Sequence, residues 1–290
     1  MRNALLAALV LAASAAWAPT SAATPRVWDQ SWDVTGRPEV HVVAEDAHVR
    51  IHAGPTGHVR AHVEFELKRW GVLFGSSEPV VVFERKGDEI WVRLHDPKCI
   101  GVIGGMDERI VADVTVPDDV SLAVRTGDGA VDCEPLSGRF TFEAGDGAVR
   151  AHGLKGDVEV STGDGRVVLD DIDGRLRAHT QDGHLSAAGR FDALDLGTGD
   201  GRLDAFAGSG SRVETPWSFE TGDGSVSLRI PHDLAALLDA RTRDGHINVE
   251  LPIELRGRMV HRELVGELNG GGPSLRVRTG DGSITLSLSD

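Results

Sequence analysis

The chain has 290 residues, with 45 acidic and 30 basic side chains and a formal net charge of −15 at pH 7. This charge argues against a nucleic-acid partner or an anionic membrane surface, because phosphate binding needs a basic face. The 36 glycines agree with an exported all-β protein that is rich in turns.

Residues 1–23 have the features of a secretory signal peptide. Arg2 supplies the positive start, residues 4–16 form an apolar run too short to span a bilayer, and residues 21–23 are small. Cleavage before Thr24 would leave 29 basic and 45 acidic side chains, a net charge of −16. No later segment is long and apolar enough for a membrane span. We therefore expect a soluble protein, without a lipid anchor, in the periplasm or outside the cell.

Residues 24–116 are predicted to form N-terminal strands and capping loops. Segments 48–52 and 58–62 alternate between apolar and polar residues, which predicts two strands joined by a turn. Four histidines would share one face of this pair: His48, His52, His58 and His62. A metal site is one interpretation of such a face, but Arg50 and Arg60 in its middle repel a cation. We therefore predict a solvated face and no metal.

Two apolar, glycine-rich segments, 68–76 and 97–106, interrupt the strand pattern. If exposed, they would form a contact patch. We favour loops that fold over the open end of the molecule, because the terminal units of a repeat protein must be shielded.

Cys99 and Cys133 are the two cysteines. An exported protein permits a disulfide between them, which would require Cα atoms within about 7 Å of each other. Two buried thiols are the alternative, and the sequence leaves both open.

A turn motif, Thr-Gly-Asp-Gly or a close variant, recurs through residues 117–290. Its aspartates are Asp128, Asp146, Asp164, Asp182, Asp200, Asp223, Asp244 and Asp281. The first five are 18 residues apart, and the later steps are 23, 21 and 37 residues. A fixed period of this size indicates stacked repeats.

Each unit reads as a short strand, a bend marked by Gly, a second strand and the aspartate turn. Eighteen residues are too few for a helix and two strands, but they suit one coil of a β-solenoid with coils about 4.8 Å apart. We predict one continuous domain over residues 24–290, with 24–116 capping the repeats of 117–290. Aspartate is expected to bind backbone N–H groups of its own turn.

Two C-terminal features need separate predictions. Residues 233–240 look helical by propensity, but their register with the earlier copy at 120–124 predicts an extended 235–241. Residues 283–290 form the last strand, with no element after it. Its Ser and Thr residues, and Asp290, would protect an open edge.

The repeated turns, the Val114-Thr115-Val116-Pro117 join and the ending Gly-Gly-Gly-Pro-Ser-Leu-Arg-Val-Arg-Thr-Gly-Asp-Gly-Ser-Ile-Thr-Leu (270–286) resemble a known family. It is the bacterial putative-adhesin family of unknown function, made of exported or envelope-associated β-solenoids. The resemblance covers about residues 38–288. It implies a single-stranded, right-handed parallel β-helix, and it brings no enzymatic activity and no catalytic residues.

The sequence favours a non-enzymatic binding or envelope scaffold that uses no cofactor and has a protein or glycan as its partner. The motifs of nucleophile elbows, phosphate loops and zinc sites are absent from the sequence.

The sequence also permits two other functions. One is a polysaccharide-active enzyme of pectate-lyase-like shape, with His179, Asp182 and His184 as its most polar cluster. The other is cation binding by the aspartate row. Calcium prefers six to eight oxygens, however, and each turn offers one carboxylate and some carbonyls.

Overall fold

The structure, a computed structural model, describes residues 25–75, 78–96, 99–251, 256–260 and 262–289. These residues form 23 strands and no helix, so the all-β prediction is confirmed for them. The N-terminal strands are β1 (Arg26–Asp33), β2 (Glu39–Val43), β3 (His48–Gly54), β4 (His58–Gly75), β5 (Val80–Lys86), β6 (Glu89–His95) and β7 (Cys99–Pro117).

The remaining strands carry the repeats. The central ones are β8 (Asp119–Thr126), β9 (Val131–Cys133), β10 (Ser137–Ala144), β11 (Val149–His152), β12 (Lys155–Thr162), β13 (Val167–Thr180), β14 (Leu185–Thr198), β15 (Leu203–Ala207), β16 (Trp217–Thr221) and β17 (Val226–Ile230). The C-terminal ones are β18 (Ala236–Thr242), β19 (Ile247–Glu250), β20 (Arg256–Val260), β21 (Glu263–Leu268), β22 (Ser274–Thr279) and β23 (Ile284–Leu288).

Strand pairing builds two walls. Wall A contains the strands that precede the aspartate turns, together with further strands at both ends. Its spatial order is β5–β6–β2–β8–β10–β12–β13–β14–β16–β22–β18–β21–β20. Wall B holds the strands that follow them, in the order β1–β4–β7–β3–β9–β11–β13–β14–β15–β17–β23–β19. The first halves of β13 and β14 belong to wall B and their second halves to wall A.

The central strands pair in parallel with the 18-residue step that the sequence predicts. Phe140 lies opposite Val158, and Val158 lies opposite Leu176, each 18 residues further along the chain. All three side chains are buried, because strand residues two apart share a face and the inner faces of both walls form one core. The architecture is therefore β-solenoid-like.

Both ends of the stack depart from chain order. At the C-terminal end, the coil of β22 and β23 lies between the coil of β16–β17 and the coil of β18–β19, although it comes last in the chain. At the N-terminal end, the coil of β2 and β3 lies between β6–β7 and β8–β9, although it comes first. The first and the last full coils are thus both paired on two sides.

The two strands predicted at 48–52 and 58–62 are present as β3 and β4, joined by a turn, and β7 lies between them in wall B. Two other sequence predictions are corrected by this topology. The final strand β23 is not an edge, because β17 and β19 flank it. Residues 68–75 and 99–106 are not loops. Their backbones continue β4 and β7 as an antiparallel pair, since register with a neighbouring strand outweighs their glycine content.

The extended prediction for 235–241 is confirmed, since Ala236–Thr242 is strand β18. Here cross-strand pairing with β22 overrides the helical propensity of the local sequence. Nine residues, 208–216, separate β15 from β16 and account for the 23-residue step between the turns. Residues 1–23 and Asp290 lie outside the described residues.

Close approach between coils explains the glycines. A Cβ on Gly147 would overlap the carbonyl oxygen of Gly129 in the coil beneath, and the second glycine of every aspartate turn meets the same obstacle. Gly156, at the bend between the walls, has a φ of 123° as well as a carbonyl beneath it. Both positions therefore exclude any other residue without backbone movement.

Candidate functional site

The aspartate turns follow one corner of the molecule, where wall A passes into wall B. Register places the threonine that opens one turn beside the threonine of the next, as with Thr162 and Thr180, and with Thr180 and Thr198. The predicted aspartates therefore form one row, and all of them are exposed. In spatial order the row is Asp128, Asp146, Asp164, Asp182, Asp200, Asp223, Asp281 and Asp244.

Threonine, not aspartate, closes these turns. The Thr180 hydroxyl accepts the N–H of Gly183 at 3.2 Å and donates to the Gly163 carbonyl of the coil beneath at 2.7 Å. The same acceptor bond recurs at four further turn threonines: Thr198, Thr221, Thr242 and Thr279. The sequence pattern predicts this role for aspartate. The threonine was visible in every full motif, but the sequence does not show which of two oxygen-bearing side chains faces inward.

The aspartate row is poorly compensated by cations. Asp281 pairs with Arg243 at 2.8 Å, and Asp244 pairs with Arg262 at 2.9 Å. The five aspartates from Asp128 to Asp200 have no ion-pair partner among the described residues. Nor do those residues contain a group of three or more His, Cys, Asp or Glu side chains that could hold a metal ion. The row is therefore a line of negative charge at one corner.

An acidic cluster extends this row at its N-terminal end. Asp46 occupies the turn position of the β2–β3 coil, and Asp96 follows β6 at the equivalent place one level further out. Burial, and then the Asp46 carboxylate, raise the pKa of Asp96 to about 6. Burial, and then Asp46, also raise the pKa of Glu108. Proton uptake by Asp96 in mildly acidic solution is therefore favoured at this end of the corner.

The predicted histidine face is a set of imidazole–carboxylate pairs on the outside of wall B. His48 lies 2.5 Å from Asp132, and His52 lies within 3.1 Å of Glu134 and 3.4 Å of Asp113. His58 and His62 contact other carboxylates, Asp33 at 2.7 Å and Asp29 at 2.9 Å. Hydrogen bonds from His62 and then Arg60 lower the pKa of Asp29. Each histidine therefore has its own carboxylate partner.

The turn separates the members of the polar cluster that a polysaccharide-active enzyme would use, His179, Asp182 and His184. His179 lies on the outside of wall A, 3.7 Å from Asp195, whereas His184 follows the turn and lies 3.4 Å from Asp204. Asp182 stands in the exposed turn between them. The two imidazoles thus have separate carboxylate partners on opposite sides of the corner, and no shared reacting position results.

The two cysteines lie far apart on the fold. Cys133 is a free, buried thiol on β9, and burial raises its pKa to about 12. Its β3 neighbour, Ile51, lies opposite Val114 of β7, whereas Cys99 begins that strand. Fifteen residues of strand correspond to about 50 Å along the chain. This separation along β7 argues against a bridge between Cys99 and Cys133.

A groove of about 410 Å³ crosses the outside of wall A. Five consecutive coils line it, through β10, β12, β13, β14 and β16, and cations alternate with carboxylates along the first four. Asp157 lies between Arg139 at 3.7 Å and Arg175 at 3.6 Å, and Asp195 lies 3.2 Å from Arg177. Glu159 also lines the groove, is exposed, and has no ion-pair partner in the described part of the chain.

Sequence reasoning had not found this groove. Outward-facing residues vary from coil to coil, so the repeat itself carries no signal for it. The 208–216 insertion, which was visible in the sequence, supplies its rim through Thr215 and Pro216.

Comparison with solved structures gives two distant matches. A putative cell adhesion protein from Clostridium sporogenes is 11% identical, with a TM-score of 0.27, over 92% of this chain and 100% of that one. A putative adhesin from Bacteroides fragilis is 10% identical, with a TM-score of 0.39, over 91% and 97%. These values are too low to assign a shared function. Among curated proteins none matches the sequence.

The family assignment rests on the sequence profile described as Toastrack DUF4097, which matches residues 44–287. The match covers the solenoid from the β2–β3 turn to the last strand. No helix among the described residues is suited to crossing a membrane. The chain belongs to the Toastrack DUF4097 family.

Proposed function

We propose that the protein is an exported, non-enzymatic, adhesin-like binding protein that holds an extended glycan against the outer face of its solenoid. The observation that carries this proposal is the wall A groove, which is built from side chains of five consecutive coils. Four steps between coils correspond to about 19 Å, which is long enough for several residues of a polymer.

The groove favours recognition by side chains. Backbone groups on both sides of each central strand are used by the parallel ladders, so a peptide cannot add as a further strand across the face of the wall. The alternating guanidinium and carboxylate groups instead offer paired donors and acceptors, which suit vicinal hydroxyl groups. Glu159 and the hydroxyls of Thr141 and Thr215 add acceptors that have no side-chain partner among the described residues.

Several narrower features belong to this proposal. The signal sequence in residues 1–23 supports export, and the 18-residue parallel step supports a single-stranded, right-handed β-helix with residues 24–116 at its capped end. The aspartate row is assigned a structural role, with at most weak cation contact. An envelope scaffold that binds a protein is the neighbouring possibility, which the test separates.

The test uses the purified mature chain, residues 24–290, on an array of envelope and extracellular polysaccharides. Ala193→Arg would fill the groove, and Ser161→Arg adds the same side chain to wall A outside it. We expect binding to at least one polymer, binding that is lost in Ala193→Arg, and binding that is retained in Ser161→Arg. Equal binding by both variants would show that the groove is not the binding site. If the chain binds no glycan but does bind an envelope protein, the scaffold function is favoured.

A further inference from the structure

A second groove, of about 300 Å³, lies on the outside of wall B. It spans β14, β15 and β17, three neighbouring coils at the C-terminal half of the stack. Phe206 stands in its middle, with Ala188 opposite it on one side and Arg229 opposite it on the other. The serines of the neighbouring column, Ser186 and Ser227, also line it.

Phe206 occupies an outward-facing strand position and is half-buried. Its register neighbour Ala188 is small, so one side of the ring is not covered by a long side chain of the adjacent coil. An aromatic ring in such a place offers a flat apolar surface beside polar groups, the combination that typical small-ligand sites use.

Charge in this groove is unevenly compensated. Arg202 donates to Asp204 at 2.9 Å, and His184 lies 3.4 Å from the same carboxylate. Arg229 is exposed and has no ion-pair partner in the part of the chain that the structure describes. The groove therefore presents one uncompensated guanidinium, whose planar fork matches a carboxylate.

We propose that this groove binds an acidic sugar residue, a pyranose with a carboxylate such as a uronate. Its ring would pack on Phe206, its carboxylate would bind Arg229, and its hydroxyls would reach Ser186, Ser227 and Asp204. A free phosphate or a peptide carboxylate would use Arg229 but would leave the ring of Phe206 without a role. The inference rests on the proposed glycan binding and adds a second contact, on the opposite wall, with its own ligand chemistry.

The test measures binding of a trigalacturonate and of its methyl ester, which keeps the rings and removes the charge. Arg229→Gln and Phe206→Ala should each weaken trigalacturonate binding about tenfold or more. Arg229→Lys should retain part of it. Arg166→Gln, an exposed arginine on the same wall three coils away, is the matched control and should bind as the parent. Circular dichroism would establish that all variants fold.

Equal affinity for the acid and its ester, or unchanged binding in Arg229→Gln, would overturn the inference. If other polysaccharides still bind through the wall A groove while trigalacturonate does not, the acidic-sugar site fails and the proposed function stands. If the parent protein binds no glycan at all, both the acidic-sugar site and the proposed function are rejected.

Discussion

Trp32 and Phe83 meet edge to face across the N-terminal end of the stack, with ring centroids 5.8 Å apart. Trp32 belongs to β1, the outermost strand of wall B at this end, and Phe83 belongs to β5, the outermost strand of wall A. Arg85 of β5 also donates to the Asp33 carbonyl of β1 at 2.7 Å. The two walls are therefore joined where the core would otherwise be open to water.

Trp32→Ala should destabilise the protein by about 3 kcal/mol or more, because it removes a large buried ring and leaves a cavity. Trp32 is 9% exposed, whereas Val27 on the same strand is 50% exposed. Val27→Ala is therefore a control that should change the free energy of unfolding by about 0.5 kcal/mol or less. Urea denaturation of both variants checks the prediction, and equal effects would contradict the capping role.

The two glycine positions of one turn should differ in tolerance. Gly183 is blocked by the Gly165 carbonyl, whereas the other position already holds a larger residue, Gln181. We expect Gly183→Ala to cost about 2 kcal/mol or more through overpacking against backbone. Gln181→Gly should cost about 1 kcal/mol or less. The comparison is made by thermal unfolding, and a neutral Gly183→Ala would show that the coils can move apart.

Thr180→Val tests the hydroxyl that closes the turn. The substitution keeps the shape and leaves the Gly183 N–H without its acceptor, which should cost about 1–3 kcal/mol. The Gly163 carbonyl loses the hydroxyl but still accepts the Gln181 N–H at 2.8 Å. Thr285 on β23 faces outward and makes no side-chain hydrogen bond within the described residues, so Thr285→Val is a matched control. Chemical denaturation should separate the two, and similar losses would mean that the hydroxyl bonds are unimportant.

Some parts of the fold could be predicted from the sequence and others could not. The step from Asp128 to Asp200 is uniform, and uniform stacking follows from it. The 37-residue step to Asp281 does not reveal its place in the stack, because the turns are alike and any of them could stack on any other. The sequence therefore does not show that the coil of Asp281 lies between the coils of Asp223 and Asp244. The grooves were equally hidden, since Ala193 and Phe206 occupy outward positions where the repeat imposes no residue type.

Stability should decrease as the pH rises from about 4 to 6 because of Asp96. Its pKa is raised to about 6 in the folded protein, above the ordinary value of 3.8, so the folded state binds the proton more tightly in this interval. Above pH 6 Asp96 is ionised in the folded protein, and the destabilisation by its partly buried charge is fully present. Asp96→Asn should be more stable than the parent at pH 7–8 and equal to it near pH 4. Denaturation across this range checks the sign. Asp118→Asn removes an exposed aspartate and should leave the pH dependence of stability unchanged. If Asp96→Asn shows the same pH dependence as the parent, a group other than Asp96 causes the loss of stability.

The aspartate row makes the last prediction. Asp164 lies between Asp146 and Asp182, at the coil spacing of about 4.8 Å, and carboxylates at that distance in water repel by nearly 1 kcal/mol per pair before screening. Asp164→Asn should therefore stabilise the protein by up to about 1 kcal/mol at low ionic strength, and by less as salt is added.

The same variant tests for a bound cation. Thermal unfolding is measured with millimolar calcium and with chelator, and we expect no difference for either protein because each turn supplies one carboxylate where calcium prefers six to eight oxygens. A calcium-dependent rise in the melting temperature of the parent that is absent in Asp164→Asn would show that the row holds ions. In that case relief of repulsion, and not turn geometry, would explain why aspartate recurs at this position.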